Sequence, residues 1–319
     1  MLSLEDINNV QTDEFIEEKV YPPIVPGRVA HIDADFLAYY ASYEREGENR
    51  TMEDVQLAAT TMVTDLRLTC AAERAVLHLT PSQSTKGGRY EAATTKAYQS
   101  ARVSDKPKLL EALRDWMSNT RNIPHTSGKS WEDAEADDGM AEAAWAAYEE
   151  GTSDLCVVAS RDKDLRIVPG LHLNFDTGEI EGAEGTFGYI GIHQPLKKDP
   201  ETGKMKKGTA KPRGYGTKFF WFQMIMGDSA DSIPGIPKKG IKAAHDMLKD
   251  CESDRECLDV VKAAYKEHGE GPGWNHWETK EPIPWSKAFM GTAQCLWMQR
   301  HPGDINDVKK WIKDIINGK

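Results

Sequence analysis

Residues 28–35 read RVAHIDAD and residues 154–164 read DLCVVASRDKD. In each, a short apolar run suited to a buried strand stops at two aspartates one residue apart, Asp33 with Asp35 and Asp162 with Asp164. A helix is expected to begin near Phe36. Between the two stretches lie helical spacing over 52–72 (Met52, Val55, Leu57, Ala59, Met62, Val63, Leu66) and a strand, AVLHLT, at 75–80. They are followed by an amphipathic helix, KLLEALRDWM, at 108–117 and an Ala-rich helix at 135–149. A further strand, LHLNFD, follows at 171–176. Strands alternating with helices predict an α/β fold with a largely parallel central sheet flanked by helices. Ligands of such sheets bind beyond the carboxyl ends of the strands. Asp33 and Asp162 are therefore expected at one edge.

The rest of the 319-residue chain divides around this core. Residues 1–27 form an acidic leader ending in a Pro-rich turn. Residues 28–218 form the core, with a polar, basic excursion at about 81–106 and a basic insert at about 177–217, where 184–193 suits a hairpin. Residues 219–319 read as a helical region opened by FFWFQMIMGD. No apolar run approaches the ~18 residues of a membrane span. The N-terminus lacks the basic and apolar regions of a signal peptide. Five scattered cysteines without a CxxC read as reduced thiols of a cytoplasmic protein.

The net charge of −11 opposes nucleic-acid binding. The carboxylates, however, are clustered, as cations would require. The basic residues also gather, from Lys86 to Lys108 and from Lys197 to Lys218. Solvated loops are the plain alternative for both stretches.

Four acidic clusters stand at predicted element ends: Asp33 with Asp35; Glu135, Asp137 and Asp138; Asp162 with Asp164; Asp228 with Asp231. Each alone has a bland reading as a cap, a helix-dipole partner or a turn former. Together they are converging carboxylates, which repel one another unless a cation lies among them. With no Cys or His in the set, all ligands are oxygen, which suits Mg²⁺ or Mn²⁺. Two such ions about 3.5–4 Å apart suit phosphodiester hydrolysis. A second clue is SIPGIPKKGIKAAHDML at 232–248. Gly235 and Gly240 bracket a turn whose backbone amides suit a phosphate, and Lys238, Lys239 and Lys242 add charge on that edge.

These motifs resemble the 5′ nuclease branch of the PIN-like flap endonuclease superfamily, and look most like the 5′-to-3′ exonucleases of T7-type bacteriophages. Asp33 matches the first-strand aspartate. Glu135, Asp137 and Asp138 match the E-x-D-D helix, and Asp162 with Asp164 the strand-end D-x-D. Asp228, Asp231 and residues 233–248 match MGD…D and its helix–three-turn–helix. The resemblance covers about residues 28–250. It implies a PIN-like fold with a helical arch at 81–106 and a C-terminal helix–three-turn–helix region. One metal would be held by Asp33, Glu135 and Asp137, the other by Asp162, Asp164 and Asp228. Asp138 and Asp231 would hold metal-bound water. It implies two Mg²⁺ (Mn²⁺ substituting), allows K⁺ at the helix–three-turn–helix, and implies no small-molecule cofactor. Arg89 and Arg102 would contact phosphate in the arch, with Lys96; Tyr98 would stack on a base or pack beneath the arch. The partners implied are duplex DNA with 5′ ends, flaps or nicks, and RNA–DNA hybrid, with no membrane. The setting would be phage replication or host DNA breakdown in the host cytoplasm. Two departures stand out. Thr80 and Pro81 occupy the place of an expected carboxylate, and Gln99 that of a cation. A haloacid-dehalogenase-like phosphatase using Asp33 as nucleophile, and a weakened DNA-binding relative, are the rival readings.

Overall fold

The computed structural model describes residues 19–318 apart from 46, 102–104, 120, 176, 184 and 200–201. Most of the acidic leader, and Arg102, lie outside the described residues. The core is a six-stranded sheet of β1 (Val25–Asp33), β2 (Ala72–Leu79), β3 (Thr126–Ser130), β4 (Cys156–Ala159), β5 (Gly170–Leu173) and β6 (Ile180–Ala183). The strand order is β3-β2-β1-β4-β5-β6. The first five strands run parallel and β6 pairs antiparallel to β5. Chain order reverses between β1 and β4, so a crevice opens beyond their carboxyl ends. Asp33 ends β1, and Ser160 to Asp164 follow β4.

The two-residue period of the strands divides the interior into two cores. Ala30 and Ile32 of β1 and Val157 and Ala159 of β4 face one side. There they meet α1 (Ala34–Ser42), α2 (Met52–Thr69) and α3 (Leu110–Ser118). Cys156 and Val158 face the other, against α4 (Ala136–Glu149) and the C-terminal helices. Helix α2 starts where the spacing predicts, with Thr51 and Asp54 forming a reciprocal capping box.

The second side also carries polar residues in defined contact. Trp131 Nε1 donates to His78 Nδ1 at 3.1 Å, and His78 Nε2 lies 3.0 Å from His31 Nδ1. The indole donor fixes the tautomers, so His78 Nε2 carries the proton that His31 accepts. Helix α4 passes close to Trp131 at Gly139, where an added Cβ would lie 2.1 Å from indole Cε2.

Three elements depart from the sequence expectation. Strand β3, TSGKS, lies at the sheet edge with partly or fully exposed side chains and carries no apolar alternation. Residues 184–193 do not form a hairpin by themselves. Ile180–Ala183 joins the main sheet, and β7 (Tyr189–His193) pairs with the distant β10 (Lys211–Tyr215). Between them β8 (Leu196–Lys198) and β9 (Met205–Lys207) form a separate hairpin. The excursion at 81–106 is largely packed down: its described residues hold a 3-10 turn, Lys86–Gly88, and one α-helical turn, Arg89–Ala92, and Ser84, Arg89, Thr94 and Tyr98 are buried. An exposed helical arch is not what these residues form among those described.

The C-terminal region is built around α5 (Thr217–Met226), whose residues Thr217 to Ile225 are all buried. A helix apolar on every side has to be enclosed. It is surrounded by α4, α6 (Ile241–Leu248), α7 (Asp254–Glu270), α8 (Trp285–Leu296) and α9 (Asp307–Asn317). No described helix is long and apolar enough to cross a membrane.

Candidate active site

At the crevice, Asp33 caps α1. Its Oδ1 accepts from the Phe36 amide at 3.1 Å and its Oδ2 from Ser160 Oγ at 3.0 Å. Ser160 Oγ also accepts from the Asp162 amide at 3.0 Å, and Asp162 Oδ1 accepts from the Asp164 amide at 2.9 Å. This serine, which the sequence reading missed, ties the ends of β1 and β4 together. Burial, followed by the charge of Asp35, pushes the Asp33 carboxyl up to about 7. Asp137, in the first turn of α4, is pushed well above the carboxylate range by burial and by the charges of Asp162 and Asp33. Three carboxyls from β1, α4 and the turn after β4 therefore act on one another at one place.

Next to them, Asp164 and Asp228 share hydrogen bonding, and Lys163 Nζ contacts both, at 3.1 Å to Asp164 and closely to Asp228. Burial and the charge of Asp162 push Asp164 well up. Burial also acts to raise Asp228, but hydrogen bonds from Asp164 and Lys163 outweigh it and hold Asp228 below its ordinary value. Gln223 donates to Asp164 as well. In sequence the lysine lies between Asp162 and Asp164, in RDKD, a signal that was available.

Glu135 precedes α4 and sits among donors. Tyr98 Oη donates to it at 2.9 Å and Gln99 Nε2 at 3.2 Å; Lys86 Nζ lies at 3.4 Å and Arg89 at 3.3 Å. Tyr98 donates also to Asp231, at 3.2 Å. Thr80, at the place of the expected carboxylate, is already engaged: its Oγ1 accepts from the Ala136 amide at 2.8 Å and its amide donates to Asp35 at 3.0 Å. Arg114 Nε lies 3.0 Å from Asp35 Oδ1, though neither atom makes a well-angled hydrogen bond, so that pair is held by charge.

Two expected assignments change, those of Asp138 and Arg89, and Tyr98 takes the second of its two readings. Asp138 does not face the cluster. It is fully buried, takes the Arg89 guanidinium on both oxygens at 2.8 and 2.6 Å, and accepts the Gln299 and Glu135 amides. Arg89 is likewise fully buried and donates to the Cys295 and Trp297 carbonyls, which leaves it no reach to an external phosphate. Tyr98, with 6% of its surface exposed, packs and hydrogen-bonds beneath the loop and offers no face to a base. Asp231 is buried too, its Oδ2 3.2 Å from the Tyr98 hydroxyl. Lys96 is exposed, and Arg102 lies outside the described residues.

The turn at 232–240 has the backbone that its sequence suggests. Gly227 and Gly235, both at positive φ, touch back to back: a Cβ on Gly235 would lie 2.3 Å from the Gly227 amide nitrogen. Gly240 precedes α6, has open space where a Cβ would go, and leaves the first turn of α6 without a side-chain cap. Lys238, also at positive φ, and Lys239 are on this loop.

A divalent cation fits this donor chemistry. The set is all carboxylate, and Asp33, Asp137 and Asp164 are each raised by burial first and then by a neighbouring acid, a repulsion that a cation relieves. The side chains are not closed on one point: among the described residues no three His, Cys, Asp or Glu groups are arranged to hold a metal. Lys163 spans Asp164 and Asp228, and Asp33 is turned to Phe36 and Ser160.

No family model and no curated protein matches the chain. Solved structures do. The bacteriophage T5 flap endonuclease, in a pseudo-enzyme–product complex with DNA and metal ions, superposes with a TM-score of 0.50 at 12% identity, over 91% of this chain and 98% of that one. The T5 protein co-crystallized with metal ions gives 0.49 at 12%, and a T5 5′-exonuclease variant 0.43 at 14%, with the same coverage. The likeness is one of fold. The chain has a mixed α/β, largely parallel six-stranded architecture, a fold it shares with that flap endonuclease.

Proposed function

We propose that the chain is a divalent-metal-dependent 5′ nuclease hydrolysing phosphodiester bonds of duplex DNA at 5′ ends, flaps or nicks. The observation that carries this reading is the convergence of Asp33, Asp137 and Asp162 beside the Asp164–Asp228 pair at the switch point of the sheet. Support comes also from the glycine-walled turn at 235–240, and from the fold shared with a flap endonuclease described in complex with DNA and metal ions.

Asp33, Glu135 and Asp137 would hold one ion, and Asp162, Asp164 and Asp228 the other. Bound Mg²⁺ would lower the pKa of a water and offset charge on the leaving oxygen. The chain's residues supply position. Ser160 keeps Asp33 and Asp162 in register, while Tyr98 and Gln99 orient Glu135. Lys163 lies where it would balance Asp164 and Asp228 until a metal enters. The amides at Gly240 and the charges of Lys238, Lys239 and Lys242 would grip duplex backbone without reading bases.

The test is release of nucleotides from 5′-labelled duplex DNA with and without Mg²⁺, with Asp162→Asn as comparison. Cleavage is expected only with metal. The substitution should lower it by at least ~10²-fold, as losing one electrostatic catalytic group does, and leave binding intact. Hydrolysis of small phosphomonoesters but not DNA would assign the chain to the phosphatases. DNA retained uncut would assign it to the binding modules. More than a tenth of wild-type turnover in Asp162→Asn would remove that residue from the site.

A further inference from the structure

The nuclease reading leaves the hairpin of β8 and β9 without a role. Residues 189–215 carry seven Lys and Arg (197, 198, 204, 206, 207, 211 and 213) against two acids, a net of +5 in a chain of −11. Six of the seven, all but Arg213, are exposed. The register pairs Lys197 with Lys206, Lys198 with Met205 and Leu196 with Lys207. Opposed residues in an antiparallel pair share a face. Lys197 and Lys206 therefore point one way, and Lys198 and Lys207 the other. Like charges facing each other directly cost stability, so folding alone does not account for the Lys197–Lys206 pair. Lys206 is steadied by Asp199 at 2.8 Å.

The hairpin is closed as a unit. The Gly208 amide donates to Pro195 O at 2.7 Å, and the Asp199 amide to Lys204 O at 2.8 Å. Its stem, β7 with β10, packs on α5, and β7 also packs on α6, the helix opened by Gly240. The cationic ribbon thus springs from the same body as Lys238, Lys239 and Lys242.

We propose that this hairpin is a second duplex-binding element, lying along a groove of the DNA gripped by the 235–242 turn. The inference rests on the nuclease reading for its partner. A two-stranded ribbon is an element that the major groove admits, and lysines on both faces reach the phosphates of both walls. Lysines without Asn, Gln or Arg at the ribbon faces position the duplex and do not read bases. At about 3.3 Å per residue, the five-residue stem strand β7 carries the hairpin up to roughly 17 Å from its start, and the three-residue strands β8 and β9 each span roughly 10 Å.

The experiment is equilibrium binding of the full chain in EDTA to duplexes of about 24 and about 8 base pairs, the shorter less than one turn. Wild type is compared with a variant carrying Lys197→Ala, Lys198→Ala, Lys204→Ala and Lys207→Ala. A control carries Lys309→Ala and Lys313→Ala on the distant α9. All of these side chains are exposed, so folding should be little affected, and a thermal melt checks it. For the long duplex, the hairpin variant should lose about 0.9 of log–log salt slope per phosphate contact removed, roughly two to four in all. Its affinity should fall by at least tenfold, equally for any sequence. The short duplex and the control should be unaffected. An unchanged slope with wild-type affinity for the long duplex overturns the proposal. A wild-type chain that neither binds nor cuts DNA refutes the nuclease reading itself.

Discussion

Replacing Arg89 with Met separates two roles for this residue, support of the fold and contact with DNA. The guanidinium makes two hydrogen bonds to Asp138 and one each to the Cys295, Trp297 and Lys86 carbonyls, with no exposed surface. Met restores the volume but leaves Asp138 charged, buried and held only by the Gln299 and Glu135 amides. Removing one partner of a buried ion pair costs about 3–5 kcal/mol, chiefly because the other charge is stranded. With a urea slope of ~3 kcal/mol/M, the unfolding midpoint should fall by roughly 1–1.7 M. Arg89→Met with Asp138→Leu should cost less than the sum of the two singles, because the stranded charge is gone. Urea unfolding followed by tryptophan fluorescence measures all four proteins. The reasoning is refuted if Arg89→Met stays within 1 kcal/mol of wild type and instead flattens the salt dependence of DNA binding by about one unit. That result would place the guanidinium against a phosphate.

Three further outcomes follow from other parts of the molecule. His172 is buried and neutral, held down to about 4 by burial, whereas unfolded it titrates near 6.5. Its contribution is therefore whole above pH 6.5 and is lost as pH falls toward 4, amounting to about 2 kcal/mol at pH 5. His172→Gln should flatten that limb of the stability profile by this amount, and an unchanged limb would mean that the ring is already protonated in the fold. Gly235→Ala should cost several-fold more stability than Gly240→Ala in thermal melts, since one meets backbone at 2.3 Å and the other meets nothing within 4 Å; equal shifts would contradict the back-to-back contact. Lys238→Ala with Lys239→Ala should weaken binding to every duplex alike and lower the salt slope by about one per lost phosphate, and an unchanged slope would turn that loop away from DNA.

The parts of the fold visible in the sequence are those where one periodicity dominates. RVAHID and DLCVVAS read as strands because both faces of β1 and β4 are covered, and the aspartates that stop them mark the strand ends. Strand β3 escaped because an edge strand with exposed side chains needs no apolar pattern. The pairing of β7 with β10 escaped because it closes over the intervening hairpin, a distance that local spacing does not encode. At the site, the acidic clusters were legible but their partners were not. Arg89 in a Lys- and Gly-rich stretch looks like a loop cation, and only the fold shows that Asp138, 49 residues away, draws it inside. Tyr98 was left open between stacking and packing, since a hydroxyl that ends on buried carboxylates looks, in sequence, like a surface group.

Gly139 sits two residues after Asp137 and meets Trp131 with no room for a methyl group. Gly within a helix costs about 1 kcal/mol relative to Ala, so local preference alone would favour Ala at this position. The contact makes the indole a stop that sets how far α4 can slide along the sheet, and Asp137 rides on the first turn of that helix. A single added carbon at 139 would therefore be read out first as a displaced carboxylate and only second as a weaker core. In a library selected for heat resistance, Ala at this position is the substitution that helix propensity would recommend and that the contact with Trp131 would penalise.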